Sequence, residues 1–429
     1  MVIICSNCGA TLPDGSKFCK FCGDALTQPQ YPQQPEYPQQ PKHPQQPQGK
    51  KRPRVVLVAV PIAVVVIVAL VLILIPGLNR ELNGIATMEY HDGIYTGNFV
   101  DGNRSGQGVM EYINGDRYKG NWEDDVKSGH GIFTWPDGMV YTGNYENDYR
   151  NGHGVQTWPD GMVYDGNWQD GNRSGQGVQT WPDGMVYTGN YENDYQNGHG
   201  VQTWPDGMVY DGNWLDGDRS GQGIMTWPDG MVYTGNFEND YRNGHGIQTW
   251  PEGFVYEGNW IEGDRSGRGV QTWKSGERYE GDWEYDVRSG RGIQTWKSGE
   301  RYEGDWEYDV RSGHGIMEYI DGEKYVGEWE NDVRSGYGVY THEDGATYGG
   351  DWENDLKSGH GVFRWPDGYV YDGNWENDLR NGHGVMRYLD GRIYDGEWAN
   401  DRRHGYGVMT DLDGNILEQG MWENGEFKG

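Results

Sequence analysis

YTGNYENDYRNGHGVQTWPDGMV, residues 141–163, recurs whole or degraded at a fixed interval of 23 residues. Its leading tyrosine stands at positions 95, 118, 141, 164, 187, 210, 233, 256, 279, 302, 325, 348, 371 and 394, fourteen times without an insertion. Self-similarity at this period marks a repeat architecture, in which each unit buries its apolar face against its neighbours. Function therefore has to be read from an array, not from a single pocket.

Within the unit, residues 140–145 alternate in the manner of a short strand, placing Tyr141, Gly143 and Tyr145 on one face. Glu146 to Asn151 reads as a loop that closes at Gly152, and His153 to Trp158 as the return strand. Trp158-Pro159-Asp160-Gly161 carries proline at i+1 and glycine at i+3, the preferences of a type I turn. Each unit is thus one hairpin.

Glycine normally weakens a strand, yet here it recurs at 143, 152 and 154 and at the equivalent places in the other copies. Each missing side chain leaves a slot for an aromatic ring from a neighbouring strand. The position of Tyr145 is aromatic in every copy, from Phe99 to Trp398. Rings bury about 150–250 Å² each, so ladders of them can replace a second layer. The expected fold is mainly β: an elongated single-layer antiparallel meander of about 28 strands, roughly 130 Å long at ~4.8 Å per strand.

The Y-x-G-x-W-x₆-G-x-G pattern over 23 residues resembles the MORN (membrane occupation and recognition nexus) repeat, across residues 84–429. The resemblance implies β-hairpin rods that act as scaffolds, tethers and, in some members, dimerisation or lipid-contacting surfaces. One departure matters. The loop glycine at 171, 217 and 263 is Asp148, Asp194 and Asp240 in other copies, which predicts an acidified edge unsuited to anionic lipid head groups. Residues 141–186 and 187–232 match almost residue for residue, and 279–301 nearly repeats in 302–324, as if units had been duplicated. The last copy departs from the pattern around Leu417 and Gly420, as expected of a terminal cap.

Charge is divided sharply. Residues 1–54 carry a net of +4, whereas the region beyond residue 78 carries 28 basic and 63 acidic side chains. So acidic an array repels nucleic acid and anionic membrane surfaces. All 20 tryptophans fall between Trp122 and Trp422, and all four cysteines lie before residue 23. No disulfide can brace the array.

Cys5 and Cys8 form one C-x-x-C pair and Cys19 and Cys22 another, each followed by glycine (Gly9, Gly23). Two such knuckles can set four thiolates tetrahedrally around Zn²⁺ at about 2.3 Å. Two disulfides, or an iron–sulfur or redox pair, are the alternatives. The segment resembles the short zinc-ribbon family, which implies one structural Zn²⁺ held by Cys5, Cys8, Cys19 and Cys22 and a small surface for a partner. A piece this short cannot bury enough surface to fold without metal.

Residues 28–48, QPQYPQQPEYPQQPKHPQQPQ, place proline at 29, 32, 35, 38, 41, 44 and 47. Polyproline II has about three residues per turn, so these prolines share one face, in a spacer of roughly 65 Å. The apolar run VVLVAVPIAVVVIVALVLILI at residues 55–75 then reaches about 32 Å as a helix, enough to span a hydrocarbon core of ~30 Å. Lys42, Lys50, Lys51, Arg52 and Arg54 precede it, and only Arg80 lies close behind. The positive-inside rule keeps that N-terminal flank in the cytoplasm, where zinc thiolates are also favoured.

The expected organisation is a zinc ribbon (1–26), a Pro/Gln-rich linker with a basic flank (27–54), a transmembrane helix (55–78) and a MORN array of about fourteen full repeats (79–429). The protein is expected in the cell membrane as a single-pass protein, its N-terminus cytoplasmic and its array extracytoplasmic. The combination looks bacterial.

Candidate sites within the array are few. His130, His153, His199, His245, His314, His360 and His383 share one template slot, with His404 a variant of it, and read as loop-edge residues. Adjacent copies stand two strands apart, about 9.6 Å, too far for two histidines to share a metal whose bonds are about 2 Å. Asp216 and Asp218 form a D-G-D without the terminal Glu of a calcium loop; a solvated rim and weak Ca²⁺ binding both fit it. No Ser/His/Asp set or phosphate loop stands outside the repeats, so a non-enzymatic, membrane-anchored scaffold for unknown protein partners is expected. A carbohydrate-binding aromatic repeat in the cell wall, and a transmembrane sensor with a cytoplasmic ribbon output, are the other two readings.

Overall fold

The computed structural model describes residues 82–429 and two short strands near the N-terminus, β1 (Val2–Ile4) and β2 (Thr11–Pro13). The four cysteines, the proline-rich linker and the apolar run at 55–78 lie outside the described residues. Among the described residues no helix is long and apolar enough to cross a membrane. β1 and β2 pair antiparallel, Val2 with Pro13 and Ile4 with Thr11, so Cys5 and Cys8 fall in the segment that joins them.

From β3 (Gly84–Tyr90) to β33 (Glu426–Phe427) the described chain is one antiparallel meander of 31 strands. Each strand pairs with its neighbours in sequence, and β3 and β33 have one partner each. The sheet is therefore open at both ends. A central unit shows why the sequence folds this way. β8 (Val140–Glu146) and β9 (Tyr149–Thr157) pair Tyr141 with Gln156 and Gly143 with Gly154, and β10 (Val163–Gln169) then pairs Tyr164 with Gln156 and Gly166 with Gly154. Rows of tyrosine and of glycine thus cross the sheet in fixed register.

The expected long loop at Glu146 to Asn151 is not formed. The chain reverses in two residues, Asn147 (φ 50°) and Asp148 (φ 73°), and Tyr149 already belongs to the return strand. Two consecutive left-handed residues are the type I′ geometry, whose twist matches that of the flanking strands. The register then slips between Gly143 and Tyr145, a bulge at which Gly152 takes φ +74°. The other connection is as expected: the Gly161 N–H donates to the Trp158 carbonyl at 3.0 Å, closing the Pro-Asp turn.

Alternation makes one face of the sheet aromatic. In β8 the side chains of Tyr141 and Tyr145 are buried while Thr142 and Asn144 face the other way. The tyrosines at the head of the repeats are 0% exposed, without a second layer to cover them. They lie along the sheet instead of standing on it, which the glycines permit. A Cβ at Gly154 would sit 2.3 Å from the Tyr141 hydroxyl.

Candidate functional site: the two faces of the sheet

Each buried tyrosine has three fixed neighbours. The Tyr141 ring meets Tyr145 edge-on at 5.3 Å and Trp168 of the next repeat at 5.4 Å. Its hydroxyl donates to the Asn144 carbonyl at 3.0 Å. The indole N–H of Trp168 donates to the Gly154 carbonyl at 3.1 Å. The same edge-to-face contacts run in an unbroken chain from Tyr95–Phe99 to Tyr394–Trp422. Such pairs add roughly 0.5–1.5 kcal/mol beyond the area they bury, so the ladder couples every repeat to the next.

A row of cations lies on these rings. Arg150 sits 3.9 Å above the Trp168 ring and Arg242 4.1 Å above Trp260. Burial lowers the pKa of Arg150, Arg242 and Lys127, and the ring faces supply part of the compensation. Arg150 and Arg242 also donate to the Gly171 and Gly263 carbonyls, and where the turn carries aspartate in place of that glycine, the aspartate pairs with the cation. Asp240 Oδ1 accepts the Arg219 backbone N–H at 3.0 Å and its Nε at 2.8 Å, and the Asp240 carbonyl accepts Nη2 at 3.0 Å. Arg104–Asp125, Arg173–Asp194, Arg288–Asp309 and Arg380–Asp401 repeat this pairing.

The aspartates that the sequence suggested were an acidified edge are therefore staples between repeats. Replacing Asp240 with Asn keeps a residue tolerant of its left-handed backbone (φ 70°) but removes the charge from the bond to Arg219. A loss of about 1 kcal/mol is expected, read as a lower midpoint in urea.

The ladder also sets a pH limit. Burial raises the phenol pKa of Tyr95, Tyr233 and Tyr394 from 10.0 to about 12, against the opposing pull of Arg104, Arg242 and Arg403. In the unfolded chain these phenols ionise near 10, so between about 10 and 12 the folded state keeps protons that the unfolded state has lost. Stability is complete below pH ~10 and falls as pH rises through that window. A melting temperature that is flat to pH ~9 and drops above ~10, with tyrosinate absorbance appearing on unfolding, is the expected result.

The opposite face mixes polar side chains with a row of valine and isoleucine, several of them exposed, such as Ile132, Val178 and Ile224. The histidines are placed there, in the strands and not at a loop edge. His153 Nε2 lies 2.9 Å from Asp165 Oδ1, and His199–Asp211, His360–Asp372 and His383–Asp395 repeat the contact at 2.9, 3.0 and 2.9 Å. These are exposed cross-strand pairs. Asp216 occupies the first position of a two-residue turn and Asp218 begins β15 (Asp218–Thr226). Among the described residues no group of three His, Cys, Asp or Glu is arranged to hold a metal ion.

The missed signal was the cation. Arginine or lysine follows the repeat tyrosine by nine residues in every copy but one, from Arg104 to Arg403, with Gln196 the exception. That interval is nearly as regular as the tyrosine's own. For zinc, the donor set fits: two C-x-x-C pairs supply four thiolates, and the β1–β2 pairing brings together the chain on either side of the first pair.

A family model for the MORN repeat matches consecutive segments from 95–117 to 394–416, and one for the zinc-ribbon domain matches residues 4–26. No protein of curated function matches the chain. Several solved structures are similar to it, among them the following three. The TCP domain of SAS-4 (dCPAP) of Drosophila melanogaster, in complex with a proline-rich motif of Ana2 (dSTIL), is 10% identical over 42% of this chain and 85% of that one, with a TM-score of 0.22. The TCP10 domain of Danio rerio CPAP is 11% identical over 68% and 99%, with a TM-score of 0.10. Virginiamycin B lyase from Staphylococcus aureus is 11% identical over 68% and 83%, with a TM-score of 0.12.

Proposed function

Because this chain belongs to the MORN-repeat family, whose model matches most of its length, we propose that it is a membrane-anchored, non-enzymatic scaffold that holds protein partners on the outer side of the cell membrane. The observation that carries this reading is the uninterrupted ladder from Tyr95 to Trp422. The ladder rings, the glycines beneath them and the arginine or lysine above them are used in binding neighbouring repeats. What varies between copies is the surface, and what varies with copy number is reach.

The anchor is the apolar run at residues 55–75, and the flanking Lys50, Lys51, Arg52 and Arg54 support a cytoplasmic N-terminus. Protease treatment of intact cells tests the topology. The array is expected to be degraded or released while the N-terminal ribbon stays protected; an array untouched outside and cut only after lysis overturns it.

On the cytoplasmic side, Cys5, Cys8, Cys19 and Cys22 would hold a structural Zn²⁺ that folds the ribbon. Stoichiometric zinc release from the purified full chain under a thiol-reactive agent is expected, and its loss in a Cys19→Ser/Cys22→Ser variant. Disulfide-linked cysteines without metal would contradict this.

A further inference from the structure

Beside the packed ladder runs a second aromatic row that the ladder does not use up. Tryptophan opens the turn of eight successive repeats, from Trp135 to Trp296 at the 23-residue interval, and these rings are only partly buried against the core. A groove of about 420 Å³ is lined by Trp250, Trp273, Arg265, Gln271 and Asp286. The tryptophan position recurs in all eight of these repeats, and glutamine stands at the position of Gln271 in six of them, such as Gln156, Gln179 and Gln248.

Successive tryptophans of this row are two strands apart, a spacing of about 9.6 Å. A polyproline II helix returns to the same face every three residues, about 9.3 Å. The two periods differ by only ~0.3 Å per repeat, so consecutive prolines of such a helix stay in step with consecutive tryptophans over several repeats. Polyproline II segments dock on aromatic-lined grooves because their conformation is preformed and little entropy is lost. Exposed carboxylates beside the row, such as Asp160 and Asp206 in the Pro-Asp-Gly turns, select for neutral or basic residues between the prolines.

We propose that the tryptophan row is a docking groove for a proline-rich polypeptide with proline at every third residue. The proposal rests on the scaffold reading and names its partner class. The chain's own residues 28–48 have this period; under the proposed topology they lie across the membrane from the array, and the ligand is a segment of another protein.

The test uses the full chain in lipid nanodiscs and a fluorescent peptide, QPQYPQQPEYPQQPKHPQQPQ, as the probe. An isomeric peptide of the same composition, with its prolines out of the three-residue period, serves for comparison, so the protein is never altered. Binding at least about tenfold tighter for the periodic peptide is expected, with a further loss when it is shortened to three prolines, because linked contacts multiply. Equal affinity for the two peptides, or no binding of either, overturns the proposal. Binding of N-acetylglucosamine oligomers in place of the peptide also overturns it and assigns the row to glycans. Failure of the peptide while proteins are still captured by the array in cells removes this ligand class and leaves the scaffold standing.

Discussion

Replacing Gly269 with valine is expected to cut the array into two halves that unfold separately. A Cβ at this position would stand 2.3 Å from the Tyr256 hydroxyl and 2.5 Å from its ring. The ring cannot retreat: it is 0% exposed and held edge-on by Trp260 at 5.2 Å and Trp283 at 5.4 Å. Overpacking of a closed site costs about 1–3 kcal/mol, and valine, with two further methyl groups, belongs at the upper end. In a repeat protein that cost falls on one interface between neighbours. Calorimetry is expected to show one transition in the parent and two in the variant; a single unshifted transition would mean that the glycine slot is not what holds the ring down.

Tyr256→Ala is expected to cost more, about 4 kcal/mol, because it empties the same slot from the other side. The cost of large-to-small substitution is the lost transfer free energy plus the cavity left behind, roughly 3–5 kcal/mol for a buried aromatic ring. Here the substitution also removes the hydroxyl's bond to the Asn259 carbonyl at 3.0 Å and the farther of the two rings beside Arg265. The two substitutions act on one contact, so they are expected not to add. Gly269→Ala in the Tyr256→Ala background should cost much less than alone. Chemical denaturation of the four proteins in this cycle measures the coupling, and strict additivity would contradict a ring seated over the glycine.

How much of this was legible in the sequence follows from what the repeat constrains. Tyrosine, glycine and the second aromatic were readable because a single-layer array has no other source of burial and must keep them in register. The two-residue turn was legible only in some copies. Asp170-Gly171 and Asp216-Gly217 carry the strong hairpin signal, whereas Asn147-Asp148 and Tyr285-Asp286 adopt the same left-handed pair without glycine. Aligning the copies would have placed the turn in all of them.

Asp240 was misread for a different reason. Within its own repeat it looks like a solvated loop charge, and its partner Arg219 lies 21 residues earlier in the preceding unit. Bonds between repeats do not show when a unit is read alone. The histidines read as a loop edge because the return strand is expected from His153; it begins at Tyr149, which places His153 inside it, opposite Asn167. The zinc ribbon and the anchor rest on spacing, hydropathy and charge, and their readings lie outside the described residues.

The central claim is that the array is a surface for proteins outside the cell. Crosslinking of intact cells with a membrane-impermeant amine reagent, followed by identification of what is joined to Lys274, Lys297 and Lys324, tests it most directly. Specific polypeptides attached to these array lysines, and lost when residues 187–232, which contain no lysine, are deleted, are the predicted result. Array lysines that stay unmodified in intact cells, or that yield glycan-bound material without any protein, would contradict it.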